Sequence, residues 1–372
     1  MIIVGAGIGG LALALELHRA GIDCQVYEAA PEIAALGVGI NILPHASREL
    51  ARLGLQESLA QVAVTTQESV YFNRYGQLIY REPAGRHAGY SWPQFSIHRG
   101  DLQQVLWTAA AERLGPENLN LGWRCVGVEQ DGSGALARFA DQPPQRGSAV
   151  IGCDGIHSAV RRQLHPKEGS PRYSGVNMWR GVTPWQPFLT GASMVRAGWL
   201  ATGKMVIYPI RDHIDAAGRQ LVNWVAEIET PQHQDRDWTR QARVEDFIDA
   251  FSDWHFDWLD VPALIRASDV VLEYPMVDQE PLDRWSFGRV SLLGDAAHPM
   301  VPRGSNGAGQ AILDARTLAD RLATCPDPVP ALQSYQEERL PATAAVVRAN
   351  RTNPPDAILR EVYLRTGDKP FS

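Results

Sequence analysis

MIIVGAGIGGLALALELHRAGIDCQVYEAA, residues 1–30, reads as a strand, a glycine turn, a helix and a second strand. Met1 to Val4 form a short apolar run. Gly5, Gly7 and Gly10 follow in GxGxxG spacing and open a helix expected from about Gly9 to Ala20. The three glycines act differently. Gly5 turns the chain off the strand, Gly7 lets the backbone approach a pyrophosphate, and Gly10 lets the helix pack closely. Phosphates would then sit at the positive helix end. The next strand, DCQVYEAA, ends at Glu28, whose carboxylate can accept hydrogen bonds from a ribose and disfavours a 2′-phosphate. The unit therefore suits FAD or NAD; the alternative is a glycine turn used only for packing.

GDAAHPMVPRGSNGAGQAILDA, residues 294–315, separates the two cofactors. The apolar run Val290 to Leu293 ends in Gly294-Asp295, which puts a carboxylate at the ligand-binding edge of such a sheet, in reach of a ribityl hydroxyl. The loop PRGSNGAGQ then enters a helix-forming stretch. Its amides, around Gly304, Gly307 and Ala308, would face the flavin edge that gains negative charge on reduction. A helix start without a ligand is the competing reading.

Three motifs in this order, GAGIGG at Gly5, CDGIHSAVRR at Cys153 and GDAAHP at Gly294, resemble those of the class A flavoprotein aromatic hydroxylases, the family of para-hydroxybenzoate and salicylate hydroxylases. The resemblance spans nearly the whole chain. It implies an α/β protein with a Rossmann-like FAD-binding domain, an interleaved β-sheet substrate domain and a C-terminal helix. It further implies that Asp154 and Gly155 lie near both the FAD pyrophosphate and the incoming nicotinamide, that Arg161 supports their turn, and that Arg99 and Gln103 of FSIHRGDLQQVLW reach the ribityl-phosphate segment. With Ala29 and Gly39 added, these residues complete the expected cofactor set.

LGVGINI, PQFSIHRG, NMWRGVT, LVNWV, YPMVD and NGAGQAILDA resemble most closely the methylphenazine-carboxylate hydroxylase branch. One departure is Arg303, charged where that branch carries an uncharged residue; it would pair with an acidic substrate or with solvent. The resemblance implies hydroxylation of an aromatic, carboxylated and phenazine-type substrate through a flavin C4a-hydroperoxide, with O2 and transient NADH or NADPH, and with loss of the carboxyl group. A salicylate-like acid is the alternative substrate, and a halogenase, an isoprenoid reductase or a non-enzymatic flavoprotein the alternative type.

Pro299, Met300 and Pro302 are expected to pass the reactive flavin edge, because in this family the loop after GDAAH runs there. Tyr208 and Trp224 are expected to touch substrate, with Trp179 as a further candidate, since flat side chains suit a flat ring. Buried tryptophan is more often core. No Ser-His-Asp or Cys-His system stands out, so the chemistry is flavin-centred. His45, in INILPHAS, is the one candidate base, read against a histidine that merely starts a surface helix.

The 372 residues, 45% of them hydrophobic, support a large core, and the net charge of −7 gives no electrostatic reason to bind nucleic acid or an anionic membrane. No run approaches the ~20 apolar residues that span a bilayer, and the apolar start lacks the basic segment of a signal peptide. Four cysteines without a CxxC pair read as reduced thiols of a cytoplasmic protein, monomer or homodimer. No metal-ligand pattern is evident. The expected cofactor domain comprises residues 1–75, 95–172 and 285–330. The substrate domain takes 76–94 and 173–284, with strands at MWRGVT, KMVIYPI, LVNWVAEIE and VVLEYPM; 331–372 give a helix near Ala331 to Asn350 and a weakly ordered tail after Pro354-Pro355.

Overall fold

Ile2, Ile3 and Val4 are all buried because the opening strand has a parallel neighbour on each side. The computed structural model describes residues 1–34, 37–230, 241–352 and 355–371. In it, Val290–Leu292, Val150–Gly152, Ile2–Val4, Gln25–Glu28 and Leu119–Leu121 form a five-stranded parallel sheet in that order. Three adjacent strands therefore end, side by side, in the three glycine motifs. Segments far apart in sequence meet at one carboxyl edge, where ligands of such sheets bind. The helices Ile8–Arg19, Arg99–Leu114 and Gly307–Thr324 pack together on the sheet. The hairpin Cys125–Gln130 and Ala135–Phe139 turns as expected at DGSG, where Asp131 Oδ1 accepts the amides of Ser133 and Gly134 at 2.8 and 3.0 Å.

A seven-stranded sheet forms the second layer, in the order Val271–Asp278, Arg172–Trp185, Gln220–Glu229, Gly203–Arg211, Ser193–Trp199, Glu68–Phe72 and Leu78–Pro83. The four expected strands are there. Ser193–Trp199 was not expected; it pairs in parallel with Glu68–Phe72. The boundary expected at 75 falls inside the hairpin of Glu68–Phe72 with Leu78–Pro83, so the excursion into this sheet begins before Glu68. One face of the sheet is closed by Phe247, Phe251 and Trp254; the other meets Val301 of the loop after GDAAHP through Met178, Val225 and Met276.

The expected tail is instead a helix, Ala357–Thr366, following the long helix Pro328–Thr352. Pro354, like Leu36 of LGVGINI, lies outside the described residues. Leu359 and Val362, spaced to share one helix face, are buried where this helix packs on Ser193–Trp199. Beyond it the Tyr75 hydroxyl donates to the Asp368 carbonyl at 2.8 Å. No helix among the described residues is long and apolar enough to cross a membrane.

Candidate active site

Gly5 has φ +104°, and a Cβ there would lie 2.5 Å from the Cys153 carbonyl oxygen. A Cβ on Gly10 would sit 2.0 Å from the Gly5 carbonyl oxygen, so Gly10 serves the turn itself as much as the helix–sheet contact. Gly7 differs: a Cβ there meets nothing within 4 Å. That open space is where a pyrophosphate would approach the backbone. The helix that follows has no side-chain cap at Gly7, which leaves its first amides for a ligand. Glu28 accepts the amides of Ala6 and Ala30 at 2.7 and 2.8 Å, so it braces the turn while each oxygen retains a lone pair for a ribose hydroxyl.

A cleft of about 640 Å³ brings together Gly5, Gly7, Glu28, Ala29, Arg99, Gln103, Asp154 and Gly155. Gln103 donates to the Ala6 carbonyl at 2.8 Å, fastening the Arg99 helix to the glycine turn. Arg99 is exposed, its side chain lying against Gly37. Trp123, Arg124 and Arg162 also line the cleft, and sequence reasoning missed them because nothing local marks a side chain that reaches a ligand from the rim.

Asp154 turns into its own helix start, accepting Ser158 Oγ at 2.5 Å and the Ala159 amide at 2.8 Å. Burial pushes its carboxyl above the ordinary value, with those hydrogen bonds opposing. Gly155 takes φ +73°. Arg161, 3% exposed, pairs with Glu168 and donates to the Ala296 and Ala297 carbonyls at 2.9 and 3.0 Å. It thus joins the DG turn to the GDAAHP turn, a wider role than the local support expected.

Asp295 stays exposed among buried neighbours. Burial by the surrounding protein raises its carboxyl, opposed by His298 and Arg99. It lies beside the first residue of the Gly307–Thr324 helix, with Oδ1 3.9 Å from a Cβ built on Gly307. That helix also starts without a side-chain cap. Free amides at Gly307 and Ala308, a left-handed Gly304 (φ +72°) and an available carboxylate together fit a flavin.

Gly39 has a different job from the cofactor contact expected. Its amide donates to Asn223 Oδ1 at 2.7 Å; its carbonyl accepts the Tyr208 hydroxyl at 2.8 Å and Arg180 Nη2 at 2.7 Å. Both backbone groups are spent on the substrate sheet, and a Cβ would strike Asn223 at 2.6 Å. Arg180 and Asn223 sit within NMWRGVT and LVNWV, but their partnership needed the fold to become visible.

Trp224 is the clearest correction. It is next in register to the pair Tyr208 and Asn223, so it points to the opposite face. There it is fully buried, its indole donating to Thr183 and Ser268 at 3.1 and 2.8 Å, in the same cluster as Trp179 and Phe247. It is core. Trp179 stacks on Phe247 on that same face. Tyr208 lies on the other face, its hydroxyl given to Gly39, and burial raises its phenol, with Arg180 and Arg196 opposing. In the loop after GDAAH, Pro299 is buried, Met300 half-buried and Pro302 exposed. His45 starts the helix Pro44–Arg52, but its ring packs beneath the flavin-loop helix, Nε2 lying 3.1 Å from a Cβ built on Gly309. Burial first, then Arg48 and Arg339, lowers its pKa. It supports that helix; nothing places it at the substrate face.

The FAD binding domain family matches residues 1–350 of the chain. Phenazine 1,6-dicarboxylic acid hydroxylase PhzS of Lysobacter antibioticus is 43% identical over 362 residues, covering 94% of this chain and 89% of that protein. A 3-amino-4-hydroxybenzoate 2-monooxygenase of Streptomyces platensis is 37% identical over 357 residues, 94% of this chain and 86% of its own. Among solved structures, Klebsiella pneumoniae HpxO complexed with FAD and uric acid matches with a TM-score of 0.82 at 25% identity, over 99% of this chain and 92% of that one.

Proposed function

The chain belongs to the FAD-binding aromatic hydroxylases, and on that premise we propose that it hydroxylates a phenazine-type carboxylic acid at the carbon bearing the carboxyl group. Its 43% identity to a phenazine dicarboxylate hydroxylase, over an alignment that covers 94% of this chain, carries this reading. The sheet face opposite the flavin loop supports it. Val182, Val206, Val225 and Tyr208 give that face an apolar stretch against which a fused ring can pack, with Arg180 and Asn223 as its polar neighbours.

The site residues have separable roles. Glu28, Arg99, Asp295 and the uncapped amides at Gly7 and Gly307 hold FAD, which when bound supplies hydride acceptance and oxygen activation. Val301 seals the loop against the sheet and keeps water from the reacting centre. The Gly39 interlock fixes the distance between the sheet and the cofactor cleft. The overall balance consumes one carboxylate, one O2, one NADH or NADPH and two protons. It yields the phenol, CO2, the oxidised nicotinamide and water.

NADH and NADPH oxidation by the purified yellow protein, with product mass recorded, tests this reading. Stimulation by phenazine-1-carboxylate with a hydroxylated, carboxyl-free product is expected. Stimulation only by 3-amino-4-hydroxybenzoate or salicylate would keep the hydroxylase and discard the phenazine.

A further inference from the structure

Two groups of opposite charge stand unpaired where the C-terminal segment crosses the loop after GDAAHP. Asp356 is 4% exposed; its Oδ2 pairs with Lys204, but Oδ1 is buried without a partner. An aspartate at the start of a helix ordinarily caps it, yet Asp356 gives no side-chain cap to Ala357–Thr366. On the loop, Arg303 is half-buried and forms no side-chain hydrogen bond or ion pair with any described residue; its Nε is buried without a partner. A buried polar group left unpaired is costly, the more so when charged.

The segments that carry these two residues already touch. A Cβ built on Gly304 would lie 3.4 Å from Pro355 Cγ and 3.4 Å from Asn350 Oδ1, and Asn350 Nδ2 donates to the Val301 carbonyl at 3.3 Å. Arg303 and Asp356 are thus the chain neighbours of two residues in contact. The Arg303 charge also reaches the carboxylate: burial pushes Asp356 up, but Lys204, then Arg303 and Arg196, outweigh burial and hold it below the ordinary value. The C-terminal segment is itself fastened to the substrate sheet. Arg351 takes both oxygens of Asp278 at 2.7 and 3.0 Å, and Lys204 pairs with Glu227 at 3.0 Å as well as with Asp356. The loop is the part that can adjust. Gly304 and Ser305 are both left-handed, with φ +72° and +57°, and that conformation is unfavourable for a residue with a side chain.

We propose that Arg303 and Asp356 are the two halves of a latch, whose closing fastens the flavin loop to the C-terminal segment and holds it over the bound cofactor. One ion pair then satisfies both unpartnered atoms. Both are positioning residues, acting through the amides of Gly307 and Ala308 a few residues along the loop. Val301, two residues before Arg303, packs on Val225 and Met276, so the same closure presses the apolar seal onto the sheet. The latch goes beyond the phenazine reading and stands whichever aromatic acid is the substrate.

Flavin release from the FAD-loaded protein, followed by fluorescence after dilution, tests it in a double-mutant cycle. Arg303→Gln is expected to speed release about tenfold, but less than about twofold when combined with Asp356→Asn. No acceleration by Arg303→Gln, or the same acceleration in both backgrounds, overturns the latch. A second measurement needs no Asp356 variant. Iodide quenching of the bound flavin should rise in Arg303→Gln and rise less in Arg303→Lys, which keeps the charge but not the planar fork. Equal quenching in those two variants also overturns it.

Discussion

His298 Nε2 lies 2.5 Å from Asp314 Oδ2, and this contact ties the flavin loop to the helix that follows it. The same oxygen accepts the Gly294 amide at 3.2 Å, while Oδ1 accepts Arg339 Nε at 2.7 Å. An ionised carboxylate only accepts, so Nε2 carries the proton and Nδ1 is left buried without a partner. One fully buried carboxylate therefore holds both ends of the turn that presents Asp295, together with the long helix behind it.

That arrangement makes Asp314 a stability determinant with a defined pH signature. Burial pushes its carboxyl up, but His298 and Arg339 outweigh burial and hold it below the ordinary value. A depressed folded-state pKa contributes stability that is present above the unfolded value, about 3.9, and is lost as pH falls through the folded one. Asp314→Asn should cost about 3–5 kcal/mol, because it leaves the Arg339 charge, 7% exposed, without its partner. Urea midpoints between pH 3 and 7 check this. The variant should show a shallower loss below pH ~4 than the unaltered protein, and identical slopes would count against the assignment.

The three glycines of the first turn separate cofactor binding from folding. Gly7→Val should leave the fold intact, since a Cβ there meets nothing within 4 Å, and should fill the space that a pyrophosphate needs. Gly10→Ala should unfold or strongly destabilise the chain, because its Cβ would lie 2.0 Å from a carbonyl oxygen. Asp295→Ala removes an exposed acceptor, so it should fold normally and lose at least about tenfold in FAD affinity, the scale of one charged hydrogen bond. Flavin content after gel filtration, with thermal unfolding of the flavin-free proteins, distinguishes the classes. Full flavin retention by Gly7→Val would sink the site assignment.

What could be read beforehand was local. Gly5, Gly7 and Gly10 announce a turn because spacing alone decides what a turn can do, and Asp295 and Glu28 each end a strand whose apolar run is self-contained. The role of Gly39 was not legible, because Tyr208, Arg180 and Asn223 reach it only after the sheet forms. Alternation says that Trp224 and its neighbour Asn223 point to opposite faces; it cannot say which face meets the cofactor. The last helix was missed for a related reason: its stability comes from Leu359 and Val362 packing on a strand far away in sequence.

Trp224→Phe tests the core assignment directly. The substitution removes the indole donor that Thr183 and Ser268 accept, but those hydroxyls keep each other at 2.6 Å. The expected loss is about 2 kcal/mol of stability, with the substrate KM unchanged within about twofold because the side chain lies on the far face. Chemical denaturation and steady-state kinetics on one preparation suffice. A large rise in KM with intact stability would return Trp224 to the substrate site.

Tyr208→Phe should behave in the opposite way. The Gly39 carbonyl keeps Arg180 as a donor, so the stability cost is only about 1 kcal/mol. The lost bond, however, is one of three that hold the Gly39 strand to the substrate sheet, and the backbone just before it also accepts the Arg99 amide at 3.0 Å. A looser interlock admits water where the oxygen is transferred. Product formed per NADH consumed should therefore fall while FAD affinity stays constant. If Tyr208→Phe keeps the full product yield, the interlock sets only the packing of the two layers and water is excluded by the Val301 loop alone.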